Sequence, residues 1–527
     1  MSIPLWAPIL IPVFFGILTY TLPEKIKKIV AIVGAGTTLV VCVMIFAQTT
    51  SGPMSLSLGG WDPPVGIMLF ADRISSVLIT LTSLLFFSLT IFEFGKKHSK
   101  RTFYMLFLIL NGLLNGLFLV DDLFSIFVLI EVSTIVVALL IMYKRDSRSM
   151  YDGLIYLLVN IFSATFFLFG LAMLYKQTGT FSLSLLGDII TQDMPALYLP
   201  FAFIMTSVCL KAALMPLFSW LPRAHGTPSS PSVVSAILSG LYVKSGIYLF
   251  LRCQNAFSAI DTQTFFLIAG IITAIIGFVF AIAQSDIKMI LSYGTVSQLG
   301  LIMIALNTGS ETAMWGGVYH IINHAIFKSM LFVGAGEIIA EYKTRNIYEM
   351  KGVFKRMPLI SAAMIAAILG ITGAPLFNGS ISKYLISQGS NDLVGDIMLT
   401  LINLGTIVLF IKLSRIFAGN TGVKARVPAN RAAVCVFLGA TCLVLGIFGA
   451  PIIEFLFGIQ VKIDTAGYIQ KSIIFAASVV GAWLIYRFAV RDRAFWKRVR
   501  AFDLGFNKIA MSIVLFFVVF TAYLYFG

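Results

Sequence analysis

Runs of about 20 apolar residues recur from one end of this chain to the other, and each is long enough to cross a bilayer as a helix. The chain has 527 residues, of which 59% are hydrophobic and 12% charged, and its mean hydropathy is +0.95. A soluble protein cannot bury so large an apolar fraction, so the main solvent must be lipid. Backbone groups in lipid must be satisfied within each segment, which favours helices, and the alternation of a membrane barrel is missing. We therefore predict an all-α polytopic membrane protein with about 14–16 transmembrane helices. Candidate centres fall near residues 12, 38, 80, 111, 132, 164, 207, 241, 273, 299, 325, 370, 405, 440, 479 and 515.

The charges alternate between successive loops of this predicted bundle. The net charge is +15, and basic clusters fall in every second loop, which is the positive-inside pattern. The pattern predicts cytoplasmic basic loops, with both termini outside. It argues against nucleic-acid binding, which would gather the basic residues on one face. The basic residues are Lys25, Lys27, Lys28, Lys96, Lys97, Lys100, Arg101, Lys144, Arg145, Arg148, Lys343, Arg345, Lys351, Lys355, Arg356, Lys424, Arg426, Arg431, Arg491, Arg493, Lys497, Arg498 and Arg500. The intervening loops carry Asp62, Asp121, Asp122, Asp188, Asp193, Asp392 and Asp396.

Two apolar segments contain a helix break beside a lysine. The segment LKAALMPLFSWLPRAHG holds Lys211 and Pro216, and the segment LGITGAPLFNGSISKYLI holds Pro375 and Lys383. Proline removes a backbone donor and clashes with the preceding turn, so both helices should be interrupted. Paired interrupted helices in two halves of a chain are typical of inverted repeats; two unrelated proline kinks are the alternative. We predict flanking helices in 1–102, a five-helix repeat in 103–252, a second and inverted five-helix repeat in 262–418, and flanking helices in 430–527.

Ionisable side chains fall inside several predicted spans, namely Glu131, Lys211, Lys244, His320, His324, Lys328 and Lys383. A charge at a helix centre costs about 2.5–3.5 kcal/mol on the insertion scale, so these groups must face one another or water. Lysine outnumbers carboxylate in the set, which argues against simple structural ion pairs. A buried ammonium without a counter-charge loses its proton more readily than in water, and histidine titrates near neutrality. The set predicts a water-bridged chain of proton carriers, with His225 as either a proton entry group or a loop residue.

Signatures of a metal or cofactor are weak. The HxxxH spacing of His320 and His324 suits zinc, but Lys328 continues the same helix face and would repel a cation, so we predict no metal. Five cysteines lie scattered without a CxxC pair, which does not suit an iron–sulfur cluster. Neither a GxGxxG motif nor a phosphate loop occurs. We expect no cofactor in this chain, so that any driving redox reaction must take place in other subunits.

Six segments in order resemble the antiporter-like proton-conducting subunits shared by respiratory complex I, Mrp-type sodium/proton antiporters and energy-converting membrane hydrogenases. They are DDLFSIFVLIEV, LKAALMPLFSWLPRAH, SPSVVSAILSGLYVKSGIYLF, SDIKMILSYGTVSQLG, YHIINHAIFKSMLFVGAGE and GAPLFNGSISK. The earlier segment GGWDPPVGIMLFADRIS looks most like the Mrp D-type and membrane-hydrogenase branch. The resemblance implies two inverted five-helix repeats and proton translocation along a central axis. By position it implies roles in that axis for Glu131, Lys211, Lys244, His320, His324, Lys328 and Lys383.

The resemblance also implies the setting of the protein. We expect a proton-translocating subunit, with or without Na⁺ exchange, in a multi-subunit complex of a prokaryotic cell membrane. Its partners would be other membrane subunits, the lipid bilayer, protons and Na⁺. The complex would be a redox-driven oxidoreductase of the hydrogenase or NADH dehydrogenase type, an Mrp antiporter or a bicarbonate-uptake system. The alternatives are a self-sufficient solute or ion transporter and a non-conducting scaffold subunit.

Overall fold

The computed structural model describes residues 3–24, 26–96, 99–226, 230–390, 393–420, 423–491, 493–502 and 505–527. Lys25, Lys97 and Asp392 of the loop-charge pattern lie outside these ranges. The α-helices are α1 (Ala7–Thr21), α2 (Lys27–Thr49), α3 (Arg73–Glu93), α4 (Arg101–Leu119), α5 (Leu123–Ile141), α6 (Ser147–Thr178), α7 (Leu183–Ile189), α8 (Tyr198–Lys211), α9 (Trp220–Gly226), α10 (Ser232–Ile237), α11 (Val243–Ala256), α12 (Gln263–Ala283), α13 (Ile287–Leu306), α14 (Glu311–Tyr342), α15 (Val353–Arg356), α16 (Pro358–Thr372), α17 (Asn378–Gln388), α18 (Leu393–Ser414), α19 (Ala429–Ile447), α20 (Gly449–Phe457), α21 (Thr465–Ile485), α22 (Ala494–Ala501) and α23 (Phe506–Phe526). Short 3₁₀ segments are Leu58–Gly60, Met142–Lys144, Pro195–Leu197, Leu217–Ser219 and Arg415–Phe417, and π-helical segments are Leu238–Tyr242 and Tyr486–Val490.

The predicted fold class is confirmed by these helices. Every predicted span centre falls within a helical segment, and 12 segments of the described chain are long and apolar enough to cross a membrane. Of the other predicted spans, α1, α8 and α16 are shorter apolar helices. The helix α14 has 32 residues but carries polar side chains that lower its hydropathy.

The two predicted repeats contain elements that correspond. Both α6 and α14 have 32 residues. Asp122 caps α5 and forms a β-bridge with Ser182 beyond α6, while Asp286 caps α13 and forms a β-bridge with Asn346 beyond α14. Three helical crossings, made by α8–α9, α10–α11 and α12, separate Ser182 from Asp286, so the two bridges lie at opposite ends of the bundle. This arrangement supports an inverted relation, and the repeat boundaries stay a prediction.

Small residues let α12 and α13 pack closely. A Cβ atom at Gly277 would lie 2.3 Å from the backbone nitrogen of Ser297, and one at Gly300 would lie 2.3 Å from that of Ala274. In lipid, helices associate through such close van der Waals contact because the hydrophobic effect between them is lost. The contact fixes α13, which carries Gln298 into the polar interior described below.

A short antiparallel hairpin precedes α3 and was not predicted. Strands β1 (Met54–Ser57) and β2 (Met68–Ala71) pair with Met54 opposite Ala71. Four residues are too few for an alternating pattern to be recognised in the sequence. Asp72 ends the hairpin, caps α3 and accepts a hydrogen bond from Arg252 of α11 at 2.6 Å. The hairpin is thereby attached to the first predicted repeat.

Candidate functional site

The first helix break ends α8 at Lys211. The backbone groups that it frees are bonded by neighbours: Met215 N donates to Thr273 Oγ1 of α12 at 2.9 Å, and Trp220 Nε1 donates to Leu210 O at 2.7 Å. Irregular backbone is tolerated at membrane depth when its polar groups are satisfied in this way. The break therefore places the Lys211 side chain inside the bundle instead of at its surface.

The second break separates α16 from α17 at Gly373, whose φ of +80° suits glycine. A Cβ at this position would also lie 3.0 Å from Lys383 Cδ. Lys383 Nζ reaches back from α17 to donate to Ile371 O of α16 and to Asn403 Oδ1 of α18, both at 2.6 Å. The lysine thus bonds to a carbonyl oxygen that lies at the end of the interrupted helix.

The Lys211 ammonium is bonded by hydroxyl groups. Its Nζ donates to the Tyr242 hydroxyl and lies 3.4 Å from Thr134 Oγ1. The Nζ also lies 4.0 Å from the centre of the Tyr242 ring, a cation–π contact. The Tyr156 hydroxyl donates to the Tyr242 hydroxyl at 2.9 Å, and all four residues are buried. Oxygen atoms and an aromatic face therefore surround this cation.

Glu131 lies on α5 beside this cluster and is half-buried. Its Oε1 is buried without a hydrogen-bond partner among the described residues. Lys211 is the cation whose charge acts on the Glu131 carboxylate, but no ion pair within 4.0 Å joins the two groups in the described chain. The carboxylate and the lysine therefore interact through their charges without forming a direct ion pair.

A π-helical segment, Leu238–Tyr242, joins α10 to α11 and positions the next lysine. Such segments are often found at functional sites. Lys244 Nζ donates to the Ser239 carbonyl within this segment, and it lies 2.6 Å from His324 Nδ1 of α14. Two positive charges at 2.6 Å would repel by about 6 kcal/mol at an effective dielectric constant of about 20. Lys244 and His324 therefore share one positive charge at most, and their contact is suited to passing a proton.

His320 continues the series one helical turn before His324, with the two ring centres 6.3 Å apart. Its Nδ1 lies 2.8 Å from Ser382 Oγ, and its Nε2 lies 3.2 Å from Gln298 Oε1. Ser382 directly precedes Lys383 on α17. The histidine thus connects the centre of α14 to the second broken helix.

A cavity of about 90 Å³ adjoins Lys383 at this end of the series. Asn403, Thr406 and Tyr384 line it together with the lysine. The cavity has several polar side chains in a mostly apolar lining, and it is several times larger than the space that one water molecule needs. It therefore has room for water next to the lysine.

The remaining predicted site residues, Lys328 and His225, converge on α13. Lys328 Nζ donates to Leu291 O at 2.8 Å, and His225 Nδ1 lies 3.1 Å from Ser292 Oγ. Both side chains are fully buried. His225 is consequently no loop residue: it lies on α9 with its ring packed against Phe332 at 5.1 Å.

Several buried polar side chains of the interior were not predicted. Tyr242 is the acceptor for Lys211, and its position two residues before Lys244 was the one available signal. Lys288 is buried on the first turn of α13 and donates to Ser230 O at 2.7 Å and to Ser235 Oγ at 3.1 Å. Lys412, near the end of α18, donates to Ile282 O at 2.5 Å. Both lysines lie close to helix ends, where the local sequence resembles an ordinary basic loop.

The zinc alternative meets a physical objection in this geometry. A metal ion held by His320 and His324 would need one free ring nitrogen from each. Both ring nitrogens of His320 already lie at hydrogen-bond distance from other groups, Nδ1 at 2.8 Å from Ser382 Oγ and Nε2 at 3.2 Å from Gln298 Oε1, so neither is free for a metal. Among the described residues, no group of three or more His, Cys, Asp or Glu side chains is placed to hold a metal ion. The metal-free interpretation stays a prediction.

A family model supplies the first comparison with known proteins. The model for the transmembrane part of NADH:quinone oxidoreductase and Mrp antiporter subunits matches residues 120–409. The chain belongs to the NADH:quinone oxidoreductase/Mrp antiporter transmembrane family. The match spans α5 to α18 and therefore contains every predicted site residue of this family member.

Similar proteins extend the family relation along most of the chain. A D-type Na⁺/H⁺ antiporter subunit from Alkalihalophilus pseudofirmus is 30% identical over 395 residues, covering 72% of this chain and 79% of the relative. An N-type NADH-quinone oxidoreductase subunit from Desulforudis audaxviator is 27% identical over 439 residues, covering 76% of this chain and 86% of the relative. The family resemblance stated from the sequence motifs is confirmed.

Solved structures of the same fold come from two complexes. A chain of the membrane-bound sulfane sulfur reductase, an archaeal respiratory membrane complex, superposes with a TM-score of 0.80 at 24% identity and covers 91% of this chain and 98% of its own. A chain of the Mrp complex from Dietzia sp. gives a TM-score of 0.80 at 22% identity, with 90% and 99% covered. At these identities the likeness concerns the fold alone.

Proposed function

We propose that this chain is a proton-translocating, antiporter-like subunit of a multi-subunit membrane complex. The observation that carries the proposal is the contact of Lys244 with His324, at the centre of a buried series that runs from Glu131 to Lys383. Family membership supports it, since similar proteins are named as D-type antiporter and N-type oxidoreductase subunits. The chain holds no cofactor of its own in this proposal.

Protons pass along the series by transfer between adjacent groups and intervening water. Lys211 releases or takes up a proton according to the charge of Glu131, because a carboxylate nearby stabilises the ammonium. Lys244 and His324 exchange a proton directly. His320 passes the charge through Ser382 towards Lys383, whose neighbouring cavity gives water access.

The setting is also part of the proposal. The chain lies in a prokaryotic cell membrane with its basic loops in the cytoplasm and both termini outside. Its partners are other membrane subunits. A redox-driven complex is one setting and an Mrp antiporter is the other, in which Na⁺ moves against protons.

Proton pumping by the assembled complex in liposomes tests the central claim. We expect Lys244→Met to lower acidification, measured with a pH-sensitive dye, to a small residual rate, because the shared proton loses its donor. The matched control is Lys176→Met, which removes an exposed lysine at the end of α6. Equal pumping by both variants and the unmodified complex would favour a scaffold, and solute uptake by the purified chain alone would favour a self-sufficient transporter.

The subunits that copurify with the chain identify the complex. Gentle solubilisation, followed by mass spectrometry and metal analysis, distinguishes the candidate complexes. Companions with iron–sulfur clusters and nickel indicate a hydrogenase type, and clusters with flavin but no nickel indicate an NADH dehydrogenase type. Small hydrophobic companions without metal indicate an Mrp antiporter.

The orientation is open to direct labelling because all five native cysteines are buried. We expect a membrane-impermeant maleimide to label Gly527→Cys on intact cells. It should label Arg498→Cys on α22 only after the cells are opened. The reverse pattern would contradict the proposed orientation.

A further inference from the structure

A large groove opens between helix ends on the side that carries the basic loops. Its volume is about 1850 Å³, and α4, α5, α10, α13, α14 and α19 contribute to its walls. Eight lysines and arginines line it, against one carboxylate, Glu337, among the described lining residues. The groove is therefore strongly cationic.

Part of this charge is balanced within the protein. Glu337 lies 3.2 Å from Arg431 Nη1 and 3.8 Å from Lys96 Nζ. Arg345 pairs with Asp286 at 2.7 Å. Even so, Arg345 Nη1 and Arg431 Nε are buried nitrogens without a hydrogen-bond partner in the part of the chain that the structure describes. Buried donors of this kind are costly to leave unbonded.

Three further cations stand at the rim of the groove. Lys100, Arg145 and Lys343 are exposed and form no ion pair among the described residues. They come from three different segments, before α4, after α5 and after α14, and so surround the opening from several sides. An anion in the groove would meet positive charge from the rim, and the buried guanidinium nitrogens of Arg345 and Arg431 add positive charge within the wall.

One wall of the groove is apolar and faces lipid. Leu139 on α5 is 44% exposed and Met150 on α6 is 41% exposed, and both line the groove. A ligand that fills the site would therefore combine an anionic head with an apolar part beside it. A free phosphate ion offers only the first, and an acidic peptide has no reason to extend along the lipid-facing wall.

We propose that this groove binds the headgroup of an anionic phospholipid, with its acyl chains lying against the exposed wall of α5 and α6. Basic pockets between membrane helices on the cytoplasmic side commonly take such headgroups. The rim cations Lys100, Arg145 and Lys343 contact the phosphate, and the charges of Arg345 and Arg431 attract it from within the wall. The bound lipid fills the space between the two predicted repeats at one membrane face.

Native mass spectrometry of the full-length chain in detergent tests the site. The chain is titrated separately with palmitoyl-oleoyl phosphatidylglycerol, palmitoyl-oleoyl phosphatidylcholine and inorganic phosphate. We expect phosphatidylglycerol to bind at least about tenfold more tightly than phosphatidylcholine. The triple variant Lys100→Gln/Arg145→Gln/Lys343→Gln should weaken its binding at least about tenfold, since each cation near the surface contributes to lipid attraction.

A second triple variant, Lys424→Gln/Lys497→Gln/Arg498→Gln, removes the same charge from exposed positions outside the groove. It should bind phosphatidylglycerol like the unmodified chain. Equal weakening by both variants, equal binding of the two lipids or full competition by millimolar phosphate would each overturn the proposal. The proposal would also be overturned if phosphatidylglycerol bound to the isolated chain but not to the assembled complex, because a partner subunit would then occupy the groove.

Binding in detergent does not depend on which side faces the cytoplasm. The lipid site and the proposed function can thus fail independently. Unchanged proton pumping in the Lys244→Met variant, with phosphatidylglycerol binding retained, rejects the proposed function and leaves the groove in place. Loss of pumping in that variant, with no preference of the chain for phosphatidylglycerol, rejects the groove alone.

Discussion

Replacement of Tyr242 by phenylalanine removes the main acceptor of the Lys211 ammonium without changing the volume of the side chain. The ammonium keeps Thr134 Oγ1 at 3.4 Å, which is too long for a strong hydrogen bond. Hydrogen bonds to charged groups contribute about 1.5–3 kcal/mol. If this stabilisation of the charged lysine is needed for transfer, proton translocation should fall about tenfold or more, since 1.36 kcal/mol corresponds to a factor of ten in rate.

The assay is initial acidification by the reconstituted complex, with Tyr156→Phe as the matched variant. Tyr156 donates to the Tyr242 hydroxyl but does not contact Lys211, so its loss should cost about 0.5–1.5 kcal/mol and lower the rate less. Thermal unfolding of both variants should stay close to that of the unmodified complex. A Tyr242→Phe rate within twofold of the unmodified rate, or a larger effect from Tyr156→Phe, would refute the reasoning.

Three other predictions follow from single contacts. The double variant Lys244→Met/His324→Leu should pump protons no more slowly than either single variant, because groups that share one proton act as a unit. A double-variant rate lowered by the product of the two single losses would contradict the shared proton. Gly277→Val should lower the unfolding temperature, because overpacking between α12 and α13 destabilises the fold by about 1–3 kcal/mol. Gly481→Val should leave the unfolding temperature unchanged, because the nearest atom to an added Cβ there is Leu404 Cδ1 at 4.0 Å. Asp286→Ala should lower the free energy of unfolding by about 0.5–2 kcal/mol, because α13 loses its N-cap. Asp286→Asn should recover most of that loss if the cap contributes more stability than the ion pair with Arg345.

The positions of the helices followed from the sequence because lipid makes hydropathy and span length nearly sufficient. Even α14, whose polar residues lower its hydropathy, is placed by the apolar residues between His320 and Lys328. The breaks after α8 and α16 were predicted from Pro216 and Pro375. The hairpin β1–β2 was not, since its strands are too short to show a period.

The contacts within the site were less predictable. The sequence indicates that Lys244 and His324 are buried, but only the π-helical segment Leu238–Tyr242 and its packing against α14 place their nitrogens at 2.6 Å. In the sequence, Tyr242 cannot be distinguished from other aromatic residues of apolar helices, and only the structure places its hydroxyl beside Lys211. Lys288 reads as a loop cation because helix ends and basic loops share the same composition. Side-chain partners depend on tertiary packing, which hydropathy does not encode.

The helix α13 contacts predicted site residues on two different helices, α9 and α14. Ser292 contacts His225, the adjacent Leu291 carbonyl accepts from Lys328, and Gln298 contacts His320. From Leu291 to Gln298 the helix advances by only about 10 Å, so one rigid element holds both groups of contacts in register. The close packing at Gly300 gives α13 no room to shift towards α12, and packed interiors do not deform continuously. A displacement of α13 would therefore break both groups of contacts together.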